Sequence, residues 1–542
     1  MTRIQPDRDT LMPTVTGKLS QQRPLRDRLA SLSLIAILLF TAGLYALLML
    51  QDEPFLFALV LLALVWVLHL WADRWAIYPT PLDVPILALL ILMPLNLIIS
   101  ADPPLTLVRI DHLLLSFSLF FAIVRLVQLR KHFPALIFSL LILSIGAGLL
   151  GLLATDWQSS ILLSFLSPIY ETLPRLTAFV PGASINKNTM GGALAFFPPL
   201  LLSLLWDHSA FRKLISKYSG IKFFPIWFYK LLAFFALGLV LAVVFLTQSR
   251  GAWLGVAVGL YVLLVWRDKR FLWAIPIGVL ALILFLNQTG IGGLSELFAL
   301  LDQGQDASLQ SRLDIWARII SLIRGFPVTG VGLDALNPVY QTFFNPFLFN
   351  EPPARLYHAH NSLLSVASEM GIPALILYVA LLSGFGAMAW RAWKRARTIN
   401  RVLIMGLVCG MIAHQVFGLM DAYPLGKNLG ITMWIYFAVM TALYVHRSRM
   451  VRSHPQPQVQ KAAQTASALL QGALISLAAW LILSLLSLAM LRVNVYASLL
   501  AAVVAGIFLG VMLVVHPLLS DGIRQPQPIS YAVPESNDLD QS

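Results

Sequence analysis

Apolar residues in this chain come in long unbroken runs, neither alternating nor confined to one narrow stripe. About fourteen runs approach the length of roughly 20 apolar residues that a membrane-crossing helix needs. They fall at 29–50, 54–72, 82–99, 108–127, 133–153, 189–206, 227–247, 251–266, 271–287, 365–390, 402–420, 428–446, 468–490 and 495–516. Continuous runs argue against sheet, whose open edges lipid does not tolerate. The pattern predicts an all-α polytopic membrane protein with about 12 core transmembrane helices and a C-terminal helix pair. Its parts are a polar N-terminal tail (1–28), a transmembrane domain (29–446), a polar linker (447–466), the helix pair (467–516) and a Pro-rich, disordered tail (517–542). Arg23, Arg26 and Arg28 precede the first run and no small-residue cleavage site follows it. That start reads as an uncleaved anchor.

Two of the connections on one side are long, about 154–188 and about 288–361. The second contains SLQSRLDIWARIISLI, in which Leu309, Leu313, Trp316, Ile320 and Ile323 recur at three- and four-residue spacing. That spacing predicts a helix. Asp314 and Arg318 form an i,i+4 pair of opposite charge, and Gly325, Pro327, Gly330 and Gly332 end the helix. The first long connection mixes apolar residues with Pro168, Pro174 and Pro181, and reads as interfacial or re-entrant.

Composition agrees with this picture. The chain is 58% apolar and 12% charged, against about 45–50% and about 25% for soluble proteins. A soluble enzyme and general disorder are both excluded. The formal net charge of +13 would suggest nucleic acid on a soluble chain. With the N-terminus placed in the cytoplasm, 28 of the 38 basic residues fall on inside loops, tails and span edges, among them Arg212, Lys213, Lys217, Arg391, Lys394 and Arg395. The excess is then an orientation signal, and no nucleic acid is needed to explain it. Cys409 stands alone, so no intrachain disulfide, cysteine zinc site or iron–sulfur cluster is available. No internal repeat is visible, which counts against transporter folds built from inverted halves.

The remaining 10 basic residues lie on the outer side, and few of them sit among polar neighbours that suggest chemistry. Arg250, in LTQSRGAWLG, interrupts an apolar stretch from about 227 to 266. It either snorkels at a helix end or faces an anion, for which its planar, permanently charged fork is suited. Arg312 begins the loop helix, where it is either a solvated charge or part of the same anion site. Lys187 lies in GASINKNTMGG and Lys427 in DAYPLGKN. Asn186 and Asn188, ahead of Gly191 and Gly192, read first as a turn and helix start and second as glycan donors. His358 and His360, in LYHAHNSLL, are spaced i,i+2, unlike a zinc-protease helix, so a metal site is not expected. One of them could act as a general base; the alternative is a surface histidine at the interface. Glu369 is either a buried acid or a capping residue.

Taken in order, LTQSRGAWLG, SRLDIWARIISLIRGFPVTGVGLDAL and HAHNSLLSVASEMGIPALI resemble the O-antigen ligase and polymerase superfamily of membrane glycosyltransferases. INKNTMGG resembles an Asn-rich segment earlier in the same family, and the resemblance covers about residues 30–446. It implies a metal-independent transferase without cofactor in a bacterial inner membrane, with cytoplasmic termini and a periplasmic active site. Its partners would be an undecaprenyl-diphosphate-linked glycan donor, a glycan or lipid acceptor and the membrane lipids. Arg250 and Arg312 would hold the diphosphate. His360 would activate or orient the acceptor hydroxyl, with Asn361 and Glu369 in support; His358, Lys187, Arg175 and Lys427 are further candidates for substrate binding. A polymerase using the same motifs is the alternative to a ligase, and a flippase or exporter without chemistry is the third reading. The helix pair after residue 466 goes beyond the family's pattern.

Overall fold

The computed structural model describes residues 29, 32–44, 56–72, 80–130, 133–157, 167–173, 184–206, 226–289, 309–343, 358–396, 398–421, 425, 430–450 and 458–523. Among these residues the fold is all α, apart from one isolated parallel bridge between Thr155 and Ile185. The helices are α1 (Leu32–Leu44), α2 (Leu56–Ala72), α3 (Asp83–Ile99), α4 (Pro103–Arg130), α5 (Phe133–Ala154), α6 (Ser167–Thr172), α7 (Lys187–Leu194), α8 (Phe197–Trp206) and α9 (Ile226–Leu246). They continue as α10 (Arg250–Arg267), α11 (Ala274–Thr289), α12 (Leu309–Gly325), α13 (Leu336–Phe343), α14 (Ser362–Arg395), α15 (Thr398–Met420), α16 (Ile431–Met450), α17 (Gln458–Leu491) and α18 (Val495–Ile523).

Each apolar run coincides with a helical stretch. Among the described residues, ten are long and apolar enough to cross a membrane, and four shorter apolar stretches, Leu32–Leu44, Leu59–Ala72, Asp83–Ile99 and Ile431–Val445, account for the rest. The chain is a multi-pass membrane protein. Helices outlast their apolar segments at the C-terminal end: α17 already begins at Gln458 and α18 runs through Pro517 to Ile523. A helix satisfies its own backbone in water as well as in lipid, so it need not stop where the apolar residues do.

The core centres on α14. Ile372, Ala374, Leu375, Ile376, Leu377, Ala380 and Leu381 are all buried, so this stretch is enclosed on every side. Helices α3, α12, α15, α16 and α18 pack around it, α4 packs on α16, and α10 packs on α15. By contrast, the span containing α11 has none of its window buried inside the protein.

Helix α14 is two helices joined at a break. Gly371 adopts φ 84°, ψ 171°, and Pro373 follows it. The segment from Pro327 to Leu333 fills this break. Val331 N donates to Ser368 O, Gly332 N to Glu369 O (both 3.0 Å), and Ile372 N to Pro327 O (2.8 Å). Asn96 of α3 closes the joint, donating from Nδ2 to Glu369 O (2.8 Å) and accepting at Oδ1 from Leu333 N. Arg109 of α4 forms an ion pair with Asp334 at 2.7 Å, both side chains nearly buried. The joint takes glycine because nothing larger fits: a Cβ on Gly371 would lie 2.2 Å from Val328 O, and one on Gly330 2.3 Å from Glu369 C.

The C-terminal pair is not an appendage. A Cβ on Gly506 would lie 2.6 Å from Val379 Cβ, and one on Gly510 2.1 Å from Ser383 Oγ, so α18 lies backbone-close against α14. Ser383 Oγ donates to Gly506 O (3.1 Å) and Trp480 Nε1 of α17 to Pro373 O (3.3 Å). The last bond satisfies a carbonyl beside the break.

Candidate active site

The three non-glycine residues with positive φ among the described residues are Gln248 (52°), Asp334 (59°) and His360 (49°). Each lies in one of the three segments singled out in the sequence. Backbone held in this region marks places where a surrounding structure over-determines the chain, and such places cluster at functional sites.

The first segment is a turn between two spans. Thr247 Oγ1 donates to Val244 O (2.7 Å), and Trp253 Nε1 reaches back to the same carbonyl (3.0 Å). Gln248 Nε2 donates to the Tyr170 hydroxyl, which donates in turn to Leu246 O (2.8 Å). Tyr170 also stacks on Trp157, so part of the first long connection folds over this turn. Pro174 and Pro181 lie outside the described residues. Ser249 caps α10, its Oγ accepting from Ala252 N at 3.4 Å. Arg250 is thus the first residue of α10 and is exposed. Its charge adds to the positive end of the helix dipole, an arrangement that favours an anion in front of it.

The second segment is α12, which docks across the start of α14. Trp316 Nε1 donates to Ala359 O at 3.0 Å. Arg312 lies one turn earlier on the same face, half-buried, and its Nε is buried with no hydrogen-bond partner among the described residues. A buried guanidinium N–H without an acceptor favours an incoming anionic oxygen. The helix is as expected, and the structure fixes which face it buries. Ile315, Ile319, Leu322 and Ile323 are buried, while Leu313 is 47% exposed. The sequence contains two apolar stripes offset by about one residue, or roughly 100° of rotation; the second is the buried one, and Trp316, from the first, is half-buried at its edge, where it meets Ala359 O. Arg318, paired by spacing with Asp314, donates to the Tyr340 hydroxyl.

The third segment supplies the groups that can move protons. His358 Nε2 and His360 Nδ1 both bond Asp421 Oδ1, at 2.9 and 3.1 Å, and the rings lie 4.3 Å apart. Asp421 follows the last residue of α15 and is buried. Burial would raise its carboxyl, but the hydrogen bonds from the two histidines outweigh that and hold it well below the usual carboxylate range. His360 is left with Nε2 for a substrate. Asn361 caps α14: Oδ1 accepts from Leu363 N and Leu364 N (3.0 and 3.1 Å), while Nδ2 donates to Leu419 O (3.3 Å). Its side chain therefore starts α14 directly after His360 and ties α14 to α15. His358, His360 and Asp421 place three ligating atoms within 4.8 Å, close enough to hold a metal ion. As arranged, both ring nitrogens bond the same carboxylate oxygen.

These segments meet at one end of the bundle. A Cβ on Gly251 would lie 3.4 Å from Met420 Cβ, which puts Arg250 beside the chain leading into Asp421. A Cβ on Gly418 would lie 2.8 Å from Ser362 Oγ, and one on Gly191 2.9 Å from Ala252 Cβ. Helix α7 therefore starts beside α10, with Lys187 in its first turn near the charge of Asp156. Asn186 caps that helix, its side chain accepting from Asn188 N at 2.8 Å, in keeping with the turn and helix-start reading. Glu369 is drawn elsewhere: it is buried in α14, and its Oε2 accepts from Asp334 N at 3.3 Å within the joint. Arg175 and Lys427 lie outside the described residues. Sequence reasoning passed over Asp421, although it opens the DAYPLGKN motif noted for Lys427. An acid directly after an apolar span, on the side of two histidines, was the available signal.

Residues 234–379 match the family model described as O-antigen ligase. The matched stretch contains Arg250, Arg312, His358, His360, Asn361 and Glu369, and ends before Asp421. A comparison with curated proteins finds no match.

Proposed function

We propose that this multi-pass membrane protein, with its O-antigen ligase domain over residues 234–379, transfers a glycan from a polyprenyl-diphosphate carrier to an acceptor hydroxyl at the outer membrane face, without a metal. The acceptor oxygen attacks the anomeric carbon, and the bond from that carbon to the diphosphate oxygen breaks. His360 Nε2 takes the hydroxyl proton, while Asp421 orients the ring through Nδ1 and offsets the charge it gains. Arg250 and Arg312 face the negative charge that builds on the departing diphosphate. Asn361 and Glu369 are positioning residues in this scheme, one for His360 and one for the turn after α12. Lys187 is a further cation for the donor.

The observation that carries this reading is the His360–Asp421 pair standing at the end of the bundle where Arg250 begins α10. The test is turnover of a lipid-linked glycan by purified full-length protein in detergent. Arg250→Ala, Arg312→Ala and His360→Ala should each lower the rate by about 10²- to 10³-fold, and Asp421→Asn by about 10²-fold, in folded protein. A chelator should leave the rate unchanged. Normal turnover in all four variants would refute the assignment, chelator-sensitive turnover would assign the histidine–aspartate cluster to a metal, and an absence of any turnover would favour an exporter. Deleting the gene separates ligase from polymerase: loss of a ligase leaves long carrier-linked chains, whereas loss of a polymerase leaves single repeat units.

A further inference from the structure

The end of the bundle away from the histidines has its own organised cluster. Helix α10 runs for 18 residues from Arg250 to Arg267, or about 27 Å along its axis. There Trp266 meets Trp393 of α14, ring centroids 4.8 Å apart. Leu263, Met405 and Cys409 form the apolar floor beneath these two rings. The guanidinium of Arg401 lies 5.4 Å from the Trp393 ring, and the ammonium of Lys394 lies 4.6 Å from the ring of Trp390. Trp390 is 61% exposed and Trp273 70%.

The charge around these rings is one-sided. Arg267, Lys269, Arg270, Lys394 and Arg401 are all exposed. The acid among them, Asp268, turns its carboxylate onto Arg270 N at 2.9 Å. The two basic segments come from distant parts of the chain, and the Trp266–Trp393 contact brings them together. A generic orientation signal needs only the charges and not this assembly. Exposed tryptophans at the ends of apolar helices belong at the depth of lipid headgroups, where basic residues meet phosphodiesters.

We infer that the ends of α10 and α14, with the start of α15, form a binding site for the headgroup of an anionic phospholipid. The phosphodiester sits among Arg267, Lys269, Arg270 and Arg401, and the acyl chains run down the apolar surface below the tryptophans. Stacking on Trp393 holds the Arg401 fork in place before the lipid arrives.

The test is native mass spectrometry of the full-length protein in neutral detergent, incubated with equal amounts of dioleoyl phosphatidylglycerol and dioleoyl phosphatidylcholine. The wild-type protein should retain the anionic lipid severalfold over the neutral one. Arg267→Gln with Arg401→Gln should lower retention of phosphatidylglycerol by about 25-fold, about fivefold per charge, and leave phosphatidylcholine unchanged. Arg401→Lys should lose less than Arg401→Gln. If the double variant does not fold, Lys269→Gln with Lys394→Gln, both exposed, should show the same direction. Equal retention of the two lipids, unchanged retention in the folded variants, or displacement by millimolar inorganic phosphate would each overturn the proposal, the last by showing a site for free phosphate.

Discussion

Arg250 and Arg312 serve the same proposed purpose on opposite kinds of support. Arg250 is held by its immediate neighbours. Thr247, Trp253 and Ser249 close the turn around it, and Tyr170 is the distant residue that joins them. Arg312 is held by contacts remote in sequence. Trp316 reaches Ala359, and the turn that ends α12 is locked into the break of α14 by Asn96, Glu369 and the Arg109–Asp334 pair. One cation is built in with the spans; the other is attached to them afterwards. The first arrangement sets its charge by local contacts, while the second makes the placement of its charge depend on the joint in α14.

The sharpest way to break this contrast is at the joint. Gly371→Ala places a side chain at φ 84° and 2.2 Å from Val328 O. Left-handed strain and the clash together should cost about 4 kcal/mol or more. The expected result is loss of the folded fraction on size exclusion, or a folded protein in which amides of 309–325 exchange freely. A folded, active variant with protected amides would show that the joint does not hold Arg312. Trp316→Phe is the milder version. It keeps an aromatic ring at the position but removes the five-membered half of the indole with its N–H, leaving Ala359 O short of a donor. That should cost about 1.5 kcal/mol, read as about tenfold slower turnover with faster exchange over 309–325 and none over 244–253. Equal changes in both segments would mean that the two supports are coupled.

The same contrast explains what could be read in the sequence. The spans were legible because a membrane sets their length and composition run by run. The LTQSRG turn was legible because its contacts are mostly local. Helix α12 was visible, but which of its two stripes is buried was not, since packing against α14, remote in sequence, decides between them. The reach of Asp421 to His360 spans 61 residues and leaves no periodic trace. The break in α14 announced itself only as Gly371 and Pro373. What fills it is a set of backbone hydrogen bonds, and no side-chain pattern encodes those. The family resemblance gave Asn361 and Glu369 a supporting role beside His360, and Glu369 was also open to a capping reading. In the fold, Asn361 caps a helix and Glu369 braces a turn.

The smallest expected effect belongs to the locally held arginine. Tyr170→Phe keeps the stack on Trp157 and removes the hydroxyl that bridges Gln248 and Leu246. A buried amide then loses its acceptor, which should cost about 1 kcal/mol. The turn has other closures in Thr247, Trp253 and the Ser249 cap, and none depends on Tyr170. Most of the loss should therefore appear as faster exchange over 244–253, with turnover slowed by only about twofold and 309–325 untouched. A loss as large as that of Arg250→Ala would show that Gln248, held at φ 52°, sets the arginine's aim and that the turn is not self-supporting.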